Sequence, residues 1–270
     1  MTNIEFVKMS GCGNDFVLVD ATRKGLSGDL TDLARRICAR HTGVGADGLF
    51  IVEPDDEVDF SVRMFNPDGS EPELCGNASR CLARFALMCG LAGDHARFRT
   101  PAGIIEAEVR TDDVRVRTTP PTDARLSVPV DVGGTTLEVA FINSGVPHAV
   151  LFVDDVASTD VVGLGRAIRR HKTFAPAGTN VDFVQVLGGD RLRMRTYERG
   201  VEDETLACGT GAVAAAVLAR LVGKVTSDVV AVEVPGGMLT VGVELADGKP
   251  TSATLAGEAR VVYRGVTEEL

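Results

Sequence analysis

The sequence predicts an α+β fold of two pseudo-symmetric domains, each a curled, barrel-like sheet around a central helix. Two observations carry this prediction. The chain repeats itself once, and each half contains one apolar helix among short strands bounded by Gly, Pro and Asp. We expect residues 1–119 to form the first domain and residues 120–255 the second. The last strand, in residues 256–270, is expected to pack back on the first domain.

The internal repeat has an offset of 132 to 134 residues. Four pairs of segments recur in the same order: 10–20 with 144–154, 65–66 with 197–198, 75–76 with 208–209, and 101–103 with 235–237. A period of this length is far too long for a solenoid, whose repeats span about 20–50 residues. The chain is therefore interpreted as two homologous domains related by a pseudo-twofold axis.

The helix of the second half, Gly209–Leu221, is apolar on nearly every side. A helix of this kind is buried all round, and a sheet curled about it is the simplest container. Its counterpart in the first half, residues 77–89, is more mixed, with Cys81 and Phe85 on one face and two arginines elsewhere. The TTPPTD stretch at 118–123 breaks both periodicities and is predicted to link the domains.

Composition and charge argue against several classes of protein. The net charge is −10 and the 28 Lys and Arg residues form no basic run, so a nucleic-acid partner is not expected. The start of the chain lacks the basic-then-apolar order of a signal peptide, and no stretch reaches the ~18 apolar residues of a membrane span. We therefore expect a cytoplasmic protein without a membrane partner. Its six cysteines and four histidines show no zinc-binding spacing, so no metal is expected.

The segment GVGADG at residues 43–48 matches the literal GxGxxG fingerprint of dinucleotide-binding proteins. It follows a helical pattern and precedes an apolar strand, whereas the fingerprint requires a strand before it and a helix after it. We interpret the segment as a glycine-rich connection from a helix to a strand, and NAD is not expected as a cofactor.

Two cysteines, Cys75 and Cys208, stand at equivalent positions immediately before the central helices, whereas Cys38, Cys81 and Cys89 fit apolar helical patterns as buried residues. A helix N-terminus lowers the pKa of a nearby thiol and binds carboxylates. If the pseudo-twofold brings both helix starts together across a cleft, a bound amino acid has one thiol on each face of its α-carbon. One cysteine then removes the α-proton as a thiolate, and the other returns a proton as a thiol, which inverts the carbon.

Polar residues near the helix starts are predicted to complete the site. Glu198 and Arg199 precede Cys208, and a carboxylate beside a guanidinium suits an amino-acid ligand. Residues 66–71 precede the first cysteine, although their NPDGSE sequence also suits a simple turn. His148 aligns with Asn14 in the repeat, which suggests that the same loop lines the cleft in both halves. No lysine lies in either motif, so a pyridoxal cofactor is not indicated.

These motifs resemble the diaminopimelate epimerase family along the whole chain. The matching stretches are GCGNDFVLVD, FNPDGSEPELCGNASRC, GVPHAV, TNVDFVQV and YERGVEDETLACGTGAVAAA. The resemblance implies a cofactor-independent epimerase that converts LL-2,6-diaminopimelate to the meso form, for lysine and peptidoglycan synthesis. It also implies residue roles: acid and base for Cys75 and Cys208, assistance for His148 and Glu198, substrate contacts for Asn14, Asn66, Asn180, Glu198 and Arg199, carboxylate binding for Gly76, Asn77, Gly209 and Thr210, and a homodimer contact for Tyr263.

Two alternative functions stay open. A racemase or epimerase of another amino acid, such as histidine or hydroxyproline, would keep both cysteines. It would not need Asn66, Asn180 and Arg199 arranged for a distal ammonium and carboxylate. A non-catalytic amino-acid-binding protein would keep the cleft, but it would be expected to have lost at least one cysteine, and this chain has both.

Overall fold

A computed structural model describes residues 3–71 and 76–268 of the chain. The chain divides into two compact units, Met1–Val116 together with Gly257–Leu270, and Arg117–Ala256. Each unit combines a sheet of mainly antiparallel strands with one long helix and one shorter helix. This sheet-dominated mixture of strands and helices confirms the predicted fold class.

The first unit contains the helices α1 (Leu30–Cys38) and α2 (Gly76–Cys89). Its strands, in chain order up to residue 117, are β1 (Ile4–Gly11), β2 (Asn14–Asp20), β3 (Gly48–Glu53), β4 (Phe60–Phe65), β5 (His95–Thr100), β6 (Gly103–Val109) and β7 (Val114–Arg117).

The second unit contains the helices α3 (Val161–Arg169) and α4 (Gly209–Leu221), and a single 3₁₀ turn at Lys172–Phe174. Its strands are β8 (Thr122–Val132), β9 (Thr135–Asn143), β10 (Pro147–Phe152), β11 (Asn180–Gly188), β12 (Arg191–Glu198), β13 (Asp203–Thr205), β14 (Val229–Val234), β15 (Gly237–Ala246) and β16 (Lys249–Gly257). The last strand, β17 (Arg260–Thr267), pairs with β1 of the first unit.

Strand pairing follows the same order in both units. In the first unit, the pairs β17–β1 and β1–β2 are antiparallel, β2–β3 parallel, β3–β4 antiparallel, β4–β5 parallel and β5–β6 antiparallel. In the second unit, β8–β9, β9–β10, β10–β11, β11–β12, β12–β14 and β14–β15 follow that same succession. The repeat found in the sequence is therefore also a repeat of topology.

In the first unit, the sheet is covered by a helix on each face. On β2, Phe16 and Leu18 pack with α2, whereas Val17 and Val19 pack with α1. Successive side chains of a strand point to opposite faces of the sheet. A strand buried on both faces is therefore a continuous apolar run, as GLFIVE in β3 is.

Helix α4 forms the core of the second unit. Gly209 and residues 211–219 are buried, and the helix contacts seven strands of that unit, β8 to β12, β14 and β15. The prediction of an apolar helix surrounded by sheet is confirmed for this unit. Burial of its side chains stabilises the fold by about 25 cal/mol for each Å² of apolar surface removed from water. No helix among the described residues is long and apolar enough to cross a membrane.

Helix α2 has the corresponding place in the first unit, where it contacts β1, β2, β5 and β6. Cys81 and Phe85 belong to the core of this unit, as their helical spacing predicts. Arg80, however, is also fully buried. A buried guanidinium must be hydrogen-bonded, and Arg80 donates from Nη2 to Asn77 Oδ1 at 2.8 Å.

The glycine-rich segment 43–48 lies between the end of α1 at Cys38 and the start of β3 at Gly48. It therefore joins a helix to a strand, which confirms the interpretation drawn from its sequence context. This order is the reverse of the strand–turn–helix order that binds a dinucleotide pyrophosphate.

Candidate active site

Cys208 is the residue immediately before helix α4 and caps its N-terminus. Its backbone is extended (φ −121°, ψ 110°), and its carbonyl accepts a helical hydrogen bond from Ala212 N at 2.9 Å. The repeat partner Cys75 lies outside the described residues, directly before Gly76, the first residue of α2. The structure therefore describes the surroundings of one of the two predicted catalytic cysteines.

The Cys208 side chain is enclosed, with 6% of its surface exposed. Burial raises the pKa of its thiol well above the ordinary value, and the nearby Glu198 and Asp182 carboxylates raise this pKa further. The Thr210 hydroxyl and the Gly211 backbone N–H lower the pKa, but they do not offset burial. The expectation that the helix start lowers this pKa is therefore wrong for Cys208, because desolvation and like charges both disfavour a thiolate. These surroundings favour the thiol form of Cys208 over the thiolate.

A chain of hydrogen bonds leads from Cys208 into the interior of the second unit. Cys208 Sγ lies 3.5 Å from Thr210 Oγ1, and that hydroxyl lies 3.0 Å from His148 Nε2. On the other side of the ring, His148 Nδ1 lies 2.7 Å from Asp182 Oδ2. The Thr196 hydroxyl donates to Asp182 Oδ1 at 2.7 Å. The structure thus brings His148, Thr210 and Cys208 together, as the proposed site requires.

Glu198, the last residue of β12, lies near the same groups. Burial raises the pKa of its carboxyl, the Asp182 carboxylate adds to that effect, and His148 opposes it. A carboxyl group with a raised pKa exchanges protons closer to neutral pH than an exposed one does. Glu198 is therefore suited to proton exchange beside Cys208.

Replacing Glu198 by glutamine is expected to stabilise the fold at pH 8. A carboxyl whose pKa is higher in the folded chain contributes stability below its ordinary pKa and loses it as the pH rises through the folded value. Ionised Glu198 therefore costs stability at pH 8, and glutamine does not. Thermal unfolding should give a higher Tm for Glu198→Gln at pH 8, with the difference closing toward pH 4. A gain of about 1 kcal/mol would raise Tm by about 2–4 °C.

Glu233→Gln is the control for this prediction, and it should change Tm at pH 8 in the opposite direction. Arg193 and Arg191 hold the pKa of the Glu233 carboxyl below its usual range. Its stabilisation is present at neutral pH and is lost on acidification, so Glu233→Gln should lower Tm at pH 8. A lower Tm for Glu198→Gln at pH 8 would contradict the environment assigned to Glu198.

Asn180 connects two loops of the second unit near Cys208. Its Oδ1 accepts from Arg199 N at 2.8 Å, and its Nδ2 donates to Pro147 O at 3.1 Å. Asn180 is buried, whereas Arg199 is half-buried. Within residues 3–71 and 76–268, no carboxylate forms an ion pair with the Arg199 guanidinium. The structure thus brings these two predicted substrate contacts together.

The start of helix α2 is lined by amides rather than by an imidazole. Asn77 Nδ2 donates to Asn14 Oδ1 at 2.7 Å, and Asn77 Oδ1 accepts from Arg80 Nη2 at 2.8 Å. Asn14 Nδ2 donates in turn to Asp47 Oδ2 at 3.0 Å. Asn14 occupies the place that His148 has in the repeat, so the two units present different chemistry at equivalent helix starts.

A cluster of charged side chains fixes the Asp47 carboxylate, which accepts a hydrogen bond from Asn14. Arg40 forms ion pairs with Asp15 at 3.1 Å and with Asp47 at 2.6 Å, and the buried Lys8 forms one with Asp15 at 2.7 Å. Because Asp47 accepts from Asn14, this cluster fixes which way the Asn14 amide faces. The Asn14 side chain is therefore positioned through contacts within its own unit.

Sequence reasoning missed Arg80, Asp47 and Asp182 as residues of the site. Each lies inside a motif that stood out in the sequence: NASRC, GVGADG and TNVDFVQV respectively. A charged residue within an otherwise apolar run is the signal that was available, because a charge there requires buried partners. Their partners Asn77, Asn14 and His148 lie 3, 33 and 34 residues away and could not be read from the pattern.

Asn66 lies in a tight turn of the first unit. Its Nδ2 donates to Ser70 Oγ at 2.9 Å, and its backbone N donates to Ser70 O at 2.8 Å. Gly69, within the same turn, has a φ of +83°, a conformation that favours glycine. The structure therefore shows the turn chemistry of this segment, and the substrate contact of Asn66 stays a prediction.

In the described part of the chain, no three or more His, Cys, Asp or Glu side chains are arranged to hold a metal ion. The polar groups at each helix start instead bond to one another or face the helix N-terminus. The start of a helix offers backbone N–H groups that can bind a carboxylate without a metal.

The fold is shared with solved structures of racemases, epimerases and related proteins. A phenazine biosynthesis protein of the PhzF family from Bacillus anthracis superposes with a TM-score of 0.76 at 16% identity, over 100% of both chains. A probable proline racemase from Agrobacterium radiobacter gives a TM-score of 0.72 at 17% identity, over 99% of this chain and 93% of its own. A hydroxyproline epimerase from Agrobacterium vitis gives 0.70 at 17% identity, over 98% and 92%. The fold is thus that of this class of racemases and epimerases.

Sequence relatives narrow the class to one family. The diaminopimelate epimerase family model matches residues 6–123 and 140–262. Diaminopimelate epimerase from Aquifex aeolicus is 49% identical over 82% of this chain and 83% of its own length. The Chlorobaculum tepidum enzyme of that name is 43% identical over 95% and 98%. The chain belongs to the diaminopimelate epimerase family, an isomerase family, which confirms the resemblance found in its motifs.

Proposed function

We propose that this enzyme converts LL-2,6-diaminopimelate to the meso form by proton transfer at one α-carbon between Cys75 and Cys208, without a cofactor. The observation that carries the proposal is the enclosed Cys208 thiol at the start of α4, in a chain of this family. The product is a precursor of lysine and of peptidoglycan, and we place the reaction in the cytoplasm.

The surroundings of Cys208 support different roles for the two cysteines, one as proton donor and one as base. Burial and the nearby carboxylates raise the pKa of the Cys208 thiol, which favours the role of proton donor for Cys208. Cys75 is then the thiolate that removes the α-proton from the opposite face. The roles exchange in the reverse direction, because each direction needs one base and one acid.

Binding of the substrate α-carboxylate lowers the barrier to proton removal. The first N–H groups of a helix have no helical partner and bear partial positive charge. We assign carboxylate binding to the N–H groups of Gly209 and Thr210 at the start of α4, and to those of Gly76 and Asn77 at the start of α2. As the α-proton leaves, charge grows on the carboxylate, and fixed N–H groups stabilise that charge in an enclosed site.

The distal ammonium and carboxylate of diaminopimelate require polar partners of their own. The Arg199 guanidinium lacks an ion pair among the described residues and suits a carboxylate by bidentate hydrogen bonding. Asn180 holds the Arg199 backbone in place, and Asn66 is the further amide that we assign to this end of the substrate.

Purified protein in heavy water with LL-diaminopimelate tests this function. The product should carry deuterium at the inverted carbon from the first turnovers, while unreacted substrate keeps its protium, since each thiol returns a proton to its own face. Parallel reactions with L-histidine and hydroxyproline test the alternatives on this fold. Turnover of either amino acid in preference to diaminopimelate would overturn the substrate assignment.

We also propose that the enzyme is a homodimer that uses strand β17. Four apolar residues of this strand are exposed, namely Val261 at 36%, Val262 at 48%, Tyr263 at 43% and Val266 at 53%. A cluster of large exposed apolar side chains on one strand is typical of a surface that another chain covers. The Tyr263 ring packs edge-on against Phe6 at 5.9 Å between centroids, which holds it in a defined orientation.

Tyr263→Glu is expected to shift the protein from dimer to monomer, because it places a charge in an apolar contact. Sedimentation velocity at micromolar concentration measures the change. Leu126→Glu is the matched control, since Leu126 is 50% exposed in the second unit, outside β17. A dimer that survives Tyr263→Glu, or that only Leu126→Glu disrupts, would place the interface elsewhere.

A further inference from the structure

A buried chain of hydrogen bonds links the Cys208 thiol to a carboxylate in the interior of the second unit. It passes from Cys208 Sγ to Thr210 Oγ1 (3.5 Å), then to His148 Nε2 (3.0 Å), and from Nδ1 to Asp182 Oδ2 (2.7 Å). The side chains of His148 and Asp182 have no exposed surface. Buried polar atoms must satisfy one another, so these side chains determine where each hydrogen atom lies.

Asp182 determines which atom donates and which accepts in each of these hydrogen bonds. A carboxylate only accepts hydrogen bonds, so His148 Nδ1 carries the proton in its contact with Asp182. A neutral imidazole that is protonated on Nδ1 has an acceptor at Nε2, and the Thr210 hydroxyl donates to it. The Thr210 oxygen keeps lone pairs that accept the hydrogen of the Cys208 thiol.

The backbone at the start of α4 allows this arrangement. The Ser144 hydroxyl donates to Thr210 O at 2.8 Å, which holds the first turn of the helix in place. At Gly211, a Cβ atom would lie 2.5 Å from Asp182 Oδ1. The second glycine of the GTG motif therefore leaves room for the Asp182 carboxylate directly beside the helix.

We propose that the Thr210 hydroxyl relays a proton between Cys208 and His148, and that Asp182 is the positioning residue that keeps the imidazole in its accepting tautomer. This inference rests on the proposed function, since it concerns how Cys208 changes between acid and base. For Cys208 to become a base, its S–H hydrogen passes to the Thr210 oxygen while the Thr210 O–H hydrogen passes to His148 Nε2. The result is a thiolate, an intact threonine hydroxyl and an imidazolium paired with Asp182, so protons and charge balance.

The relay gives Cys208 a way to lose its proton although burial disfavours its thiolate. Burial and the two nearby carboxylates disfavour the Cys208 thiolate, yet the reverse reaction needs Cys208 as a base. Transfer through Thr210 leaves the net charge of the enclosed group unchanged, because a thiolate and an imidazolium replace two neutral groups. Among the described residues, Glu198 is a further titratable group near Cys208. In the described part of the chain, however, the hydrogen-bonded path from Cys208 runs through Thr210.

Two substitutions at position 210 separate a relay from a packing role. Thr210→Val keeps the shape and removes the hydroxyl, whereas Thr210→Ser keeps the hydroxyl and removes the methyl group. The relay predicts that valine lowers kcat about 10²-fold, the contribution of a positioned proton-transfer group, with little change in KM. Serine should recover at least about tenfold of that loss. If Thr210 acts only through packing, Thr210→Val should have a higher kcat than Thr210→Ser. A valine variant more active than the serine variant would therefore overturn the proposal.

Asp182→Asn tests whether Asp182 acts through the same relay. Residues that act as one unit have strongly non-additive effects. Asp182→Asn should therefore lower kcat on its own, and Thr210→Val combined with Asp182→Asn should be no slower than the slower single variant. Multiplicative losses in the double variant would show that Asp182 acts separately and would overturn its role as the positioning residue.

A measurement on the unmodified protein does not depend on turnover, and a variant serves only to assign its signal. Ring ¹⁵N signals of the four histidines can be observed at pH 8, and His148→Gln identifies the signal of His148. We expect a neutral ring protonated on Nδ1 alone. A ring protonated on Nε2 would overturn the relay, because Nε2 could not accept from Thr210. Failure of the proposed function would appear separately, as a lack of epimerisation by the unmodified protein.

Discussion

Replacing Cys208 by alanine is expected to abolish interconversion of LL- and meso-diaminopimelate in both directions, by at least about 10⁴-fold. Cys75→Ala should do the same, because each direction needs one thiolate and one thiol. The thiol that remains in each variant can still remove the α-proton of the stereoisomer it faces, and deuterium enters when that thiol exchanges with solvent before it returns a proton. Proton NMR in heavy water measures both processes, since exchange without inversion removes the α-proton signal while leaving the configuration unchanged.

Cys38→Ala is the matched control for these variants. Cys38 is a buried thiol at the end of α1, and burial raises its pKa to about 11. It has no part in the proposed chemistry, so its loss should leave epimerisation intact. A single base that swings between the two faces of the substrate would survive either Cys75→Ala or Cys208→Ala. Inversion by one of those two variants would therefore contradict the two-cysteine mechanism.

Arg199→Ala is expected to have the second largest effect, which is a fall in kcat/KM for diaminopimelate. Loss of a hydrogen bond between charged groups costs about 1.5–3 kcal/mol, which corresponds to about a 10- to 150-fold fall in kcat/KM. Arg199→Lys should recover only part of this loss, because an ammonium cannot form the bidentate contact that a guanidinium forms with a carboxylate. Steady-state kinetics with LL-diaminopimelate measures each variant.

Arg193→Ala is the control for the Arg199 variants. Arg193 lies on strand β12, which ends one residue before Arg199, and its guanidinium forms an ion pair with Glu233 at 2.8 Å. This ion pair has no part in the proposed site, so kcat/KM should be unchanged. If Arg199→Ala retained full activity on diaminopimelate, the assignment of a distal carboxylate contact would fail, and a smaller amino acid would become the better substrate.

The two-domain fold could be predicted because its main signals are local or repeated. The apolar sequence of α4 and the continuous apolar run of β3 each specify burial without reference to distant residues. The order of elements around residues 43–48 could likewise be read from the neighbouring periodicities. An internal repeat adds long-range information, since it implies that two distant segments have the same topology.

The site could be predicted less completely. Cys208 and His148 were predicted from their motifs and their repeat partners, and the structure places them two hydrogen bonds apart. The Asp182 partner of His148 could not be predicted, because it depends on the register of two parallel strands. Pairing of β10 with β11 sets His148 opposite Asn180, and Asp182 follows two residues later on the same face.

The sequence by itself determined the family, the repeated α+β fold and the placement of a cysteine before each central helix. These features depend on residue identity, spacing and periodicity, which are all properties of the linear chain. Only the tertiary structure decided that Arg80 is buried and that the surroundings of Cys208 raise the pKa of its thiol. The physical reason is that a pKa and the free energy of a buried charge depend on solvent access and on neighbouring charges. For Cys208, those neighbours are Glu198 and Asp182, which the fold brings to it from β12 and β11.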